Sequence, residues 1–471
     1  MLKPITLEIV LVCGALGVFF MDLFLPSRKK KILGVFVLLS LVAAMGLSFL
    51  NIHYGSFFET FINDPFSISL KRIFLLAAGL TVMGSITHSE LRLGRREGEY
   101  YFLLILSLIG MMIAVSAREL LLLFVGFELM SVPLYVLSGF DKRNPKSVEG
   151  ALKVFLFGTV SSSLLLLGIG LFLATAGTTR WIPGDSPVSM GEPLGVIALA
   201  VLFAGFGFKI AAFPFQFWVP DTYEGAPTPF VAFLSVAPKV AGFGIIFRFF
   251  FEALEALSSV WTLYAVWLSA LTMIVGNLLA LPQRNVKRLL AYSGIAHVGY
   301  ILLGLASGSQ LGLTMSVFYF IAYLFSNMGA FLVAEVVHRS TGSDDLDAYR
   351  NLNHRSPFLA LAMLVFLLSL GGIPFVIGFW AKLYIFLAAI DAGYVFLVFL
   401  GALLTVVALF YYLNLARKMY IDEGKEEARV SIPFDLYLSI GVCAAGVVLL
   451  GIYPKWVVQI AEKAVSVFLG Y

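Results

Sequence analysis

The sequence predicts an all-α polytopic membrane protein with about fourteen spans. Three observations carry that prediction. Hydrophobic residues make up 60% of the 471 residues and charged residues only 13%, and the mean hydropathy is +0.96. Runs of about 18 or more mostly apolar residues recur along the chain, each able to cross roughly 30 Å of hydrocarbon as a helix. These runs do not alternate in polarity. Val35 to Leu50 reads VFVLLSLVAAMGLSFL, whereas the strands of an outer-membrane barrel alternate over short segments.

Taken in order, the spans fall at 5–25, 32–50, 68–88, 100–117, 119–138, 147–176, 193–218, 228–251, 257–281, 286–305, 311–338, 357–389, 393–420 and 433–463. The first, Ile5 to Leu25, exceeds a signal-peptide h-region in length. Basic residues follow it in place of a small-residue cleavage site, so it is read as a retained helix. Three spans hold internal prolines beside or near a lysine: Pro214 after Lys209, Pro238 before Lys239, and Pro374 ahead of Lys382. Each proline lacks an N–H and so frees a backbone carbonyl, that of Ile210 for Pro214 and of Leu234 for Pro238. All three are read as helix-breaking positions.

Orientation follows from lysine and arginine, because basic loops stay on the cytoplasmic side. The stretch Arg28, Lys29, Lys30 and Lys31 defines the inside. The same side then holds Arg92, Arg95, Arg96, Lys142, Arg143, Lys146, Arg284, Lys287, Arg288, Arg339, Arg350, Arg355, Arg417, Lys418, Lys425 and Arg429. That places about 20 basic residues inside against about eight outside, with both termini facing out. The longest loop, near His338 to Ser356, is too short for a soluble catalytic domain, so soluble chemistry is expected in partner chains. The formal charge of +4 is accounted for by these loops and gives no argument for nucleic-acid binding.

Several chemistries find no seat. Cys13 and Cys443 lie in the first and last spans without C-x-x-C spacing, so neither a zinc nor an iron–sulfur site is expected from this chain alone. His53, His88, His338 and His354 fall in or beside loops, leaving His297 inside a span, which excludes a bis-histidine haem. There is no phosphate-binding G-x-x-x-x-G-K-[ST] loop, and no strand for a G-x-G-x-x-G turn to follow.

What remains is a set of ionisable residues at membrane depth, where charge is costly and a functional role is the default reading. Glu128 stands near the middle of LLLFVGFELMSVPLYVL, some 13 Å from either interface at 1.5 Å per residue. It is either a proton carrier or a neutral carboxyl bonded to a neighbouring helix. Lys209 precedes Pro214 in FKIAAFPFQFW, and Lys239 follows Pro238 in AFLSVAPKVAGF. The combination of an ammonium with a freed carbonyl matches the way interrupted helices build ion sites at mid-depth. Lys382 follows Pro374 in GGIPFVIGFWAKLYIF, and the two proline turns, AAFPF and GGIPF, sit at corresponding points of two internal halves. His297, in LLAYSGIAHVGYILLG, reads equally as a core histidine and as a proton carrier. Lys153 lies close enough to the inside loop to reach the headgroups, which leaves its role open. Asp22, Lys71, Arg72 and Arg248 lie near span ends and read as interface anchors.

Amines suit proton transfer, because burial favours the neutral form and a nearby carboxylate restores the charged one. At about 6 Å and an effective dielectric near 20 such a pair interacts by roughly 3 kcal/mol, enough to switch occupancy. Three cationic groups would repel Na⁺ or K⁺. The row Glu128, Lys209, Lys239, His297, Lys382 therefore predicts a lateral, water-linked proton path, with Lys153 as a peripheral candidate.

The stretches FKIAAFPFQFWVPDTYEGAPTPFVAFLSVAPKVAGF, RLLAYSGIAHVGYILLG and GGIPFVIGFWAKLYIF are long and specific. With them the chain resembles, over nearly its whole length, the antiporter-like membrane subunits of respiratory complex I, a superfamily shared with Mrp-type antiporters. The resemblance implies fourteen helices: three N-terminal (1–99), two inverted five-helix repeats (100–251 and 257–420), each with a broken helix, and a last helix at 433–463. It also implies one proton channel, in which Glu128, Lys209, Lys239 and Lys382 match the family's buried glutamate and its broken-helix, central and exit-side lysines, and His297 a polar relay. A lysine at Lys382 resembles the N-type subunit rather than the M-type, which has glutamate there. The L-type carries a long C-terminal lateral helix, for which the stretch after the last span leaves no room. The implied partners are the other membrane subunits (M-, L-, K-, J-, A- and H-type) and a peripheral arm that holds FMN and iron–sulfur clusters, oxidises NADH and reduces quinone. No cofactor is expected in this chain. The expected location is the bacterial inner (plasma) membrane, and the rival expectation is a subunit of a multisubunit Na⁺/H⁺ antiporter.

Overall fold

With no water in hydrocarbon to satisfy N–H and C=O groups, each apolar run must close its own hydrogen bonds, and it does so as a helix. The computed structural model describes residues 3–26, 29–50, 54–86, 96–181, 193–422 and 429–468. Arg28, His53, His88, Arg92, Arg95 and Lys425 lie outside the described residues. The first helices are α1 (Thr6–Phe24), α2 (Lys31–Ser48), α3 (Pro65–Ser85), α4 (Glu97–Ser116), α5 (Leu120–Ser138) and α6 (Pro145–Ala176). They are followed by α7 (Pro193–Ile210), α8 (Trp218–Gly225), α9 (Thr228–Glu252), α10 (Ser258–Ala280), α11 (Val286–Ala306) and α12 (Gln310–Thr341). The remainder are α13 (Leu352–Arg355), α14 (Pro357–Gly371), α15 (Ile377–Asp391), α16 (Val395–Tyr420), α17 (Phe434–Ile452) and α18 (Lys455–Val465).

Short polar side chains start many of them. Asp64 and Ser67 form a capping box on α3, Glu119 caps α5, Asn144 caps α6, Asn285 caps α11 and Ser309 caps α12, each accepting from an amide that has no helical partner. Between α2 and α3 the chain makes an antiparallel hairpin, Gly55–Phe57 with Phe61–Asn63, which sequence reasoning did not anticipate.

Among the described residues twelve helices are long and apolar enough to cross a bilayer, and two shorter apolar ones, Leu194–Ile210 and Pro357–Gly371, accompany them. Each of the fourteen expected spans thus has a helix, and three of the spans are interrupted. The span at 193–218 stops at Ile210, where Ala211 takes a left-handed conformation (φ 61°), and resumes as α8, so Pro214 lies in the connector rather than in a helix. The span at 357–389 breaks between Gly371 and Ile377 around Pro374, with Gly372 and Phe375 both at φ 77°. Pro238 does not break its helix: α9 runs unbroken from Thr228 to Glu252. One lost hydrogen bond is tolerated there because neighbours pack around the whole of α9, whose spanning window is fully buried. The last span, expected as one helix, is divided at Tyr453–Pro454 into α17 and α18.

Loops gather at two ends as the charge pattern requires. At one end the hairpin bridges to Ala117, and Arg248 binds Asp64 at 2.8 Å and Glu252 at 2.9 Å. At the other end, the end designated inside, Lys146, Arg288, Asp344 and Lys418 enter ion pairs. Two expected interface anchors are corrected: Arg248 is 1% exposed in its double pair, and Lys71, wholly buried, binds Glu8 at 2.7 Å. Near a span end, a carboxylate from a neighbouring element offered each cation a closer partner than the headgroups do.

Candidate functional site

Lys209 is the penultimate residue of α7, held at the helix end by the turn at Ala211. Its Nζ donates to Ser131 Oγ at 2.6 Å and lies 4.9 Å from the Phe127 ring. Ser131 follows Glu128 by one turn of α5, and Glu128 accepts a short hydrogen bond from Ser162 of α6. The Ser131 hydroxyl in turn donates to the Phe127 carbonyl, so Glu128 and Lys209 share a neighbourhood on α5 without a hydrogen bond in common. Sequence reasoning passed over Pro133, which sits inside α5 and frees the carbonyl of Leu129, the residue next to Glu128. The proline in FELMSVP was the available signal.

The stem of Lys209 packs on α9 at Gly242, where a Cβ would stand 3.6 Å from the lysine Cβ and Cγ. Lys239 lies one turn away on the same helix. It is 4% exposed, its Nζ has no hydrogen-bond partner among the described residues, and the Tyr223 ring of α8 lies 5.8 Å away. The hydroxyls of Tyr223 and Tyr323 are buried and likewise have no hydrogen-bond partner among the described residues. Gly294 of α11 makes the space they share: a Cβ there would come 3.0 Å from Lys239 Nζ and 2.7 Å from the Tyr323 hydroxyl. Buried polar groups of this kind are satisfied by internal water.

His297 is one turn beyond Gly294. Its Nδ1 lies 2.7 Å from the Tyr319 hydroxyl, its Nε2 lies 3.4 Å from the Tyr412 hydroxyl, and Tyr412 in turn shares a short hydrogen bond with Ser293. On α11 His297 stands between Gly294, which borders the Lys239 ammonium, and Tyr300, whose ring lies beside Lys382. The residues that hold it were missed at the level of sequence, because tyrosines in apolar runs read as core; Tyr319 and Tyr323, four apart on one face of α12, were the signal.

Lys382 of α15 is 4% exposed. Its Nζ donates to the Gly371 carbonyl at 3.3 Å, a group left over by the end of α14, and lies 4.9 Å from the Tyr300 ring. Tyr300 is one turn beyond His297 on α11, with the two rings 5.9 Å apart. A spur of hydroxyls runs beside this stretch, with Ser326 and Ser369 bonded at 2.7 Å.

Lys153 is placed elsewhere. It is partly exposed and binds Glu149 and Asp221, each at 2.6 Å. Asp221 also takes Arg288 at 2.5 Å, and Glu224 takes Arg288 at 2.9 Å and Lys146 at 2.6 Å. This cluster fastens α8 to α6 and α11. Burial alone would raise the Asp221 and Glu224 carboxyls, but hydrogen bonds and charge from Lys153, Lys146 and Arg288 hold both below the usual carboxylate range. Among the described residues no group of three or more His, Cys, Asp or Glu is placed to hold a metal ion.

Two interrupted helices flanking a continuous central helix, with a buried lysine from each, define an antiporter-like class of membrane subunit. Residues 117–408 match the family described as NADH:quinone oxidoreductase/Mrp antiporter, TM, and the chain belongs to that family. It is 39% identical to NADH-quinone oxidoreductase subunit N of Trichlorobacter lovleyi over 99% of this chain and 97% of that one. It is 38% identical to F(420)H(2) dehydrogenase subunit N of Methanosarcina mazei over 98% of both. Among solved structures it superposes on a chain of respiratory complex I from Thermus thermophilus with TM-score 0.83 and 33% identity, covering 96% of this chain and 99% of that chain. A chain of the Mrp complex from Dietzia sp. superposes with TM-score 0.84 at 19% identity, covering 100% and 98%, a likeness of fold alone.

Proposed function

We propose that this chain is the N-type proton-translocating membrane subunit of a quinone oxidoreductase and that Glu128, Lys209, Lys239, His297 and Lys382 carry the proton. The observation that carries the reading is Lys239: a buried ammonium without a hydrogen-bond partner among the described residues, beside two tyrosine hydroxyls in the same condition. An amine so placed gains little from staying charged, and it can pass a proton through water to either side. Glu128 loads Lys209, Lys239 relays to His297 and its tyrosines, and Lys382 releases the proton. The segments 100–251 and 257–420 act as two inverted halves meeting at α9 and α11, and Lys153 serves to hold α8.

Electrons do not pass through the chain. NADH oxidation and quinone reduction take place in partner subunits, with FMN and iron–sulfur clusters in a peripheral arm and M-, L-, K-, J-, A- and H-type subunits beside this one in a bacterial plasma membrane. Both termini face the non-cytoplasmic side. Kinship at 38% identity to a subunit of an F(420)H(2) dehydrogenase fits this division, since the electron donor can change without altering a helix bundle that never meets it.

The test is proton uptake or release per electron pair by the complex reconstituted in liposomes, with Lys239→Ala in this chain. Translocation through this subunit is expected to vanish while the complex stays assembled. Unchanged stoichiometry would remove the reading, and a sodium-dependent but redox-independent flux would favour the antiporter alternative.

A further inference from the structure

The turn that ends α7 is a Schellman motif. The Ala211 amide donates to the Phe208 carbonyl at 3.0 Å, and the Ala212 amide to the Gly207 carbonyl at 2.9 Å. Its left-handed position is normally filled by glycine, because a Cβ is unfavourable at positive φ. Here the residue is Ala211, at φ 61°. A side chain held in that conformation requires surroundings that over-determine the turn.

Three contacts do so. Ile210 packs on α9 at Gly242, where a Cβ would come 2.8 Å from Ile210 Cγ2. The Phe215 ring folds back over Gly207, 3.1 Å from where a Cβ would stand. The third contact comes from a distant helix: the Phe213 amide donates to Thr272 Oγ1 of α10 at 3.0 Å. The amides of Ala211, Ala212 and Phe215 bond to carbonyls of residues 207–212, so it is the Phe213 amide that ties the connector to another element. Thr272 is wholly buried.

Around Thr272, α10 is pressed against α11. A Cβ at Gly299 would stand 2.6 Å from the Met273 nitrogen, and one at Gly276 would stand 2.4 Å from the Ala296 nitrogen. Ser269 Oγ donates to the Gly299 carbonyl at 2.7 Å. Ala296 and Gly299 bracket His297, so the helix that supplies Thr272 is fastened to the backbone that carries the histidine.

We propose that Thr272 is a positioning residue for Lys209. Through the Phe213 amide it fixes the turn that follows the lysine, and so holds that ammonium in register with the α10–α11 pair. The inference rests on the proton path proposed above. Lys209 stands two residues before Ala211, so a turn that relaxes from positive φ redirects the end of α7. Its Nζ then leaves Ser131 Oγ, from which it lies 2.6 Å in this structure. Only the acceptor oxygen of Thr272 is needed, and serine supplies it while valine does not.

The test is protons moved per electron pair through this subunit in the reconstituted, assembled complex. Thr272→Val is expected to lower it about fivefold, the weight of one hydrogen bond, and Thr272→Ala to do the same. Thr272→Ser is expected to keep the native value. On a Ser131→Ala background Thr272→Val is expected to add little, because both changes act on the same ammonium; a merely structural role would leave its factor undiminished. Native translocation in both hydroxyl-less variants, a defect in Thr272→Ser equal to theirs, or an undiminished factor on Ser131→Ala would each overturn the assignment. If Lys209→Ala itself translocates normally, the proton path fails instead, and the two failures are distinguished.

Discussion

Lys239 and Arg248 lie on one helix, nine residues apart, and show two fates of a cation at membrane depth. Arg248 is fully enclosed by Asp64, Glu252 and the Val115 carbonyl, its guanidinium fork matched bond for bond. Arg248→Leu strips the buried Asp64 carboxylate of its guanidinium while Glu252 keeps Arg118 at 3.1 Å, and a loss of about 3 kcal/mol is expected, read as a lowered melting temperature of the solubilised chain. Lys239 is the opposite case, an ammonium with no hydrogen-bond partner among the described residues. Lys239→Arg keeps the positive charge but cannot release its proton near neutral pH. It should therefore stop translocation about as completely as Lys239→Ala, with proton stoichiometry of the reconstituted complex as the measure. Both residues were visible in the sequence as charges in apolar runs. Their roles were not, because the carboxylates that capture Arg248 come partly from Asp64, 184 residues away.

At the scale of elements, the breaks place the lysines. Gly372 adopts φ 77°, a conformation that costs a residue with a side chain about 1 kcal/mol or more, and a Cβ there would stand 2.9 Å from Lys382 Cδ. Gly372→Ala should therefore displace the Lys382 side chain, lowering translocation with little effect on assembly, as measured by flux per assembled complex. The half-helix α8 is held by its carboxylates. Since Asp221 and Glu224 titrate below the usual carboxylate range, their pairing is fully present above about pH 4–5 and is lost as pH falls through the lowered values. Melting temperature should fall on acidification in that window, and Asp221→Asn should flatten part of the fall. Close helix approach is a further element-scale constraint: a Cβ at Gly126 of α5 would come 2.7 Å from the Ala114 nitrogen of α4. Gly126→Ala is expected to cost about 1–3 kcal/mol and to shift Glu128 two residues on, read as lower stability together with lower flux.

For the whole molecule, the burial pattern separates a core from a periphery. The spanning windows of α9, α11 and α12 are 100%, 94% and 89% buried, against 33% for α1, α2, α6, α16 and α17. Lys239 and His297 lie in that core, with Lys209, Lys382 and the half-buried Glu128 on the helices beside it, and the outer helices turn apolar faces outward, Phe396, Val406 and Phe410 among them. On the proposed function, replacing Lys209 and Lys382 together should lower protons moved per electron pair while NADH oxidation by an artificial acceptor continues.

The sequence by itself determined the class, the number of spans and the burial of Lys209, Lys239, His297 and Lys382, since hydrocarbon thickness and the cost of intramembrane charge act on local composition. It also marked Pro374 as a break. Only tertiary structure decided that Pro238 leaves α9 intact, that the helix before Pro214 ends at Ala211, and that Lys71 and Arg248 pair inside the protein. It likewise brought Tyr223, Tyr319, Tyr323 and Tyr412 together around Lys239 and His297. The physical reason is common to all of these: whether a proline breaks a helix, or a charge finds a partner, depends on what neighbouring helices press against it, and those neighbours are remote in the chain.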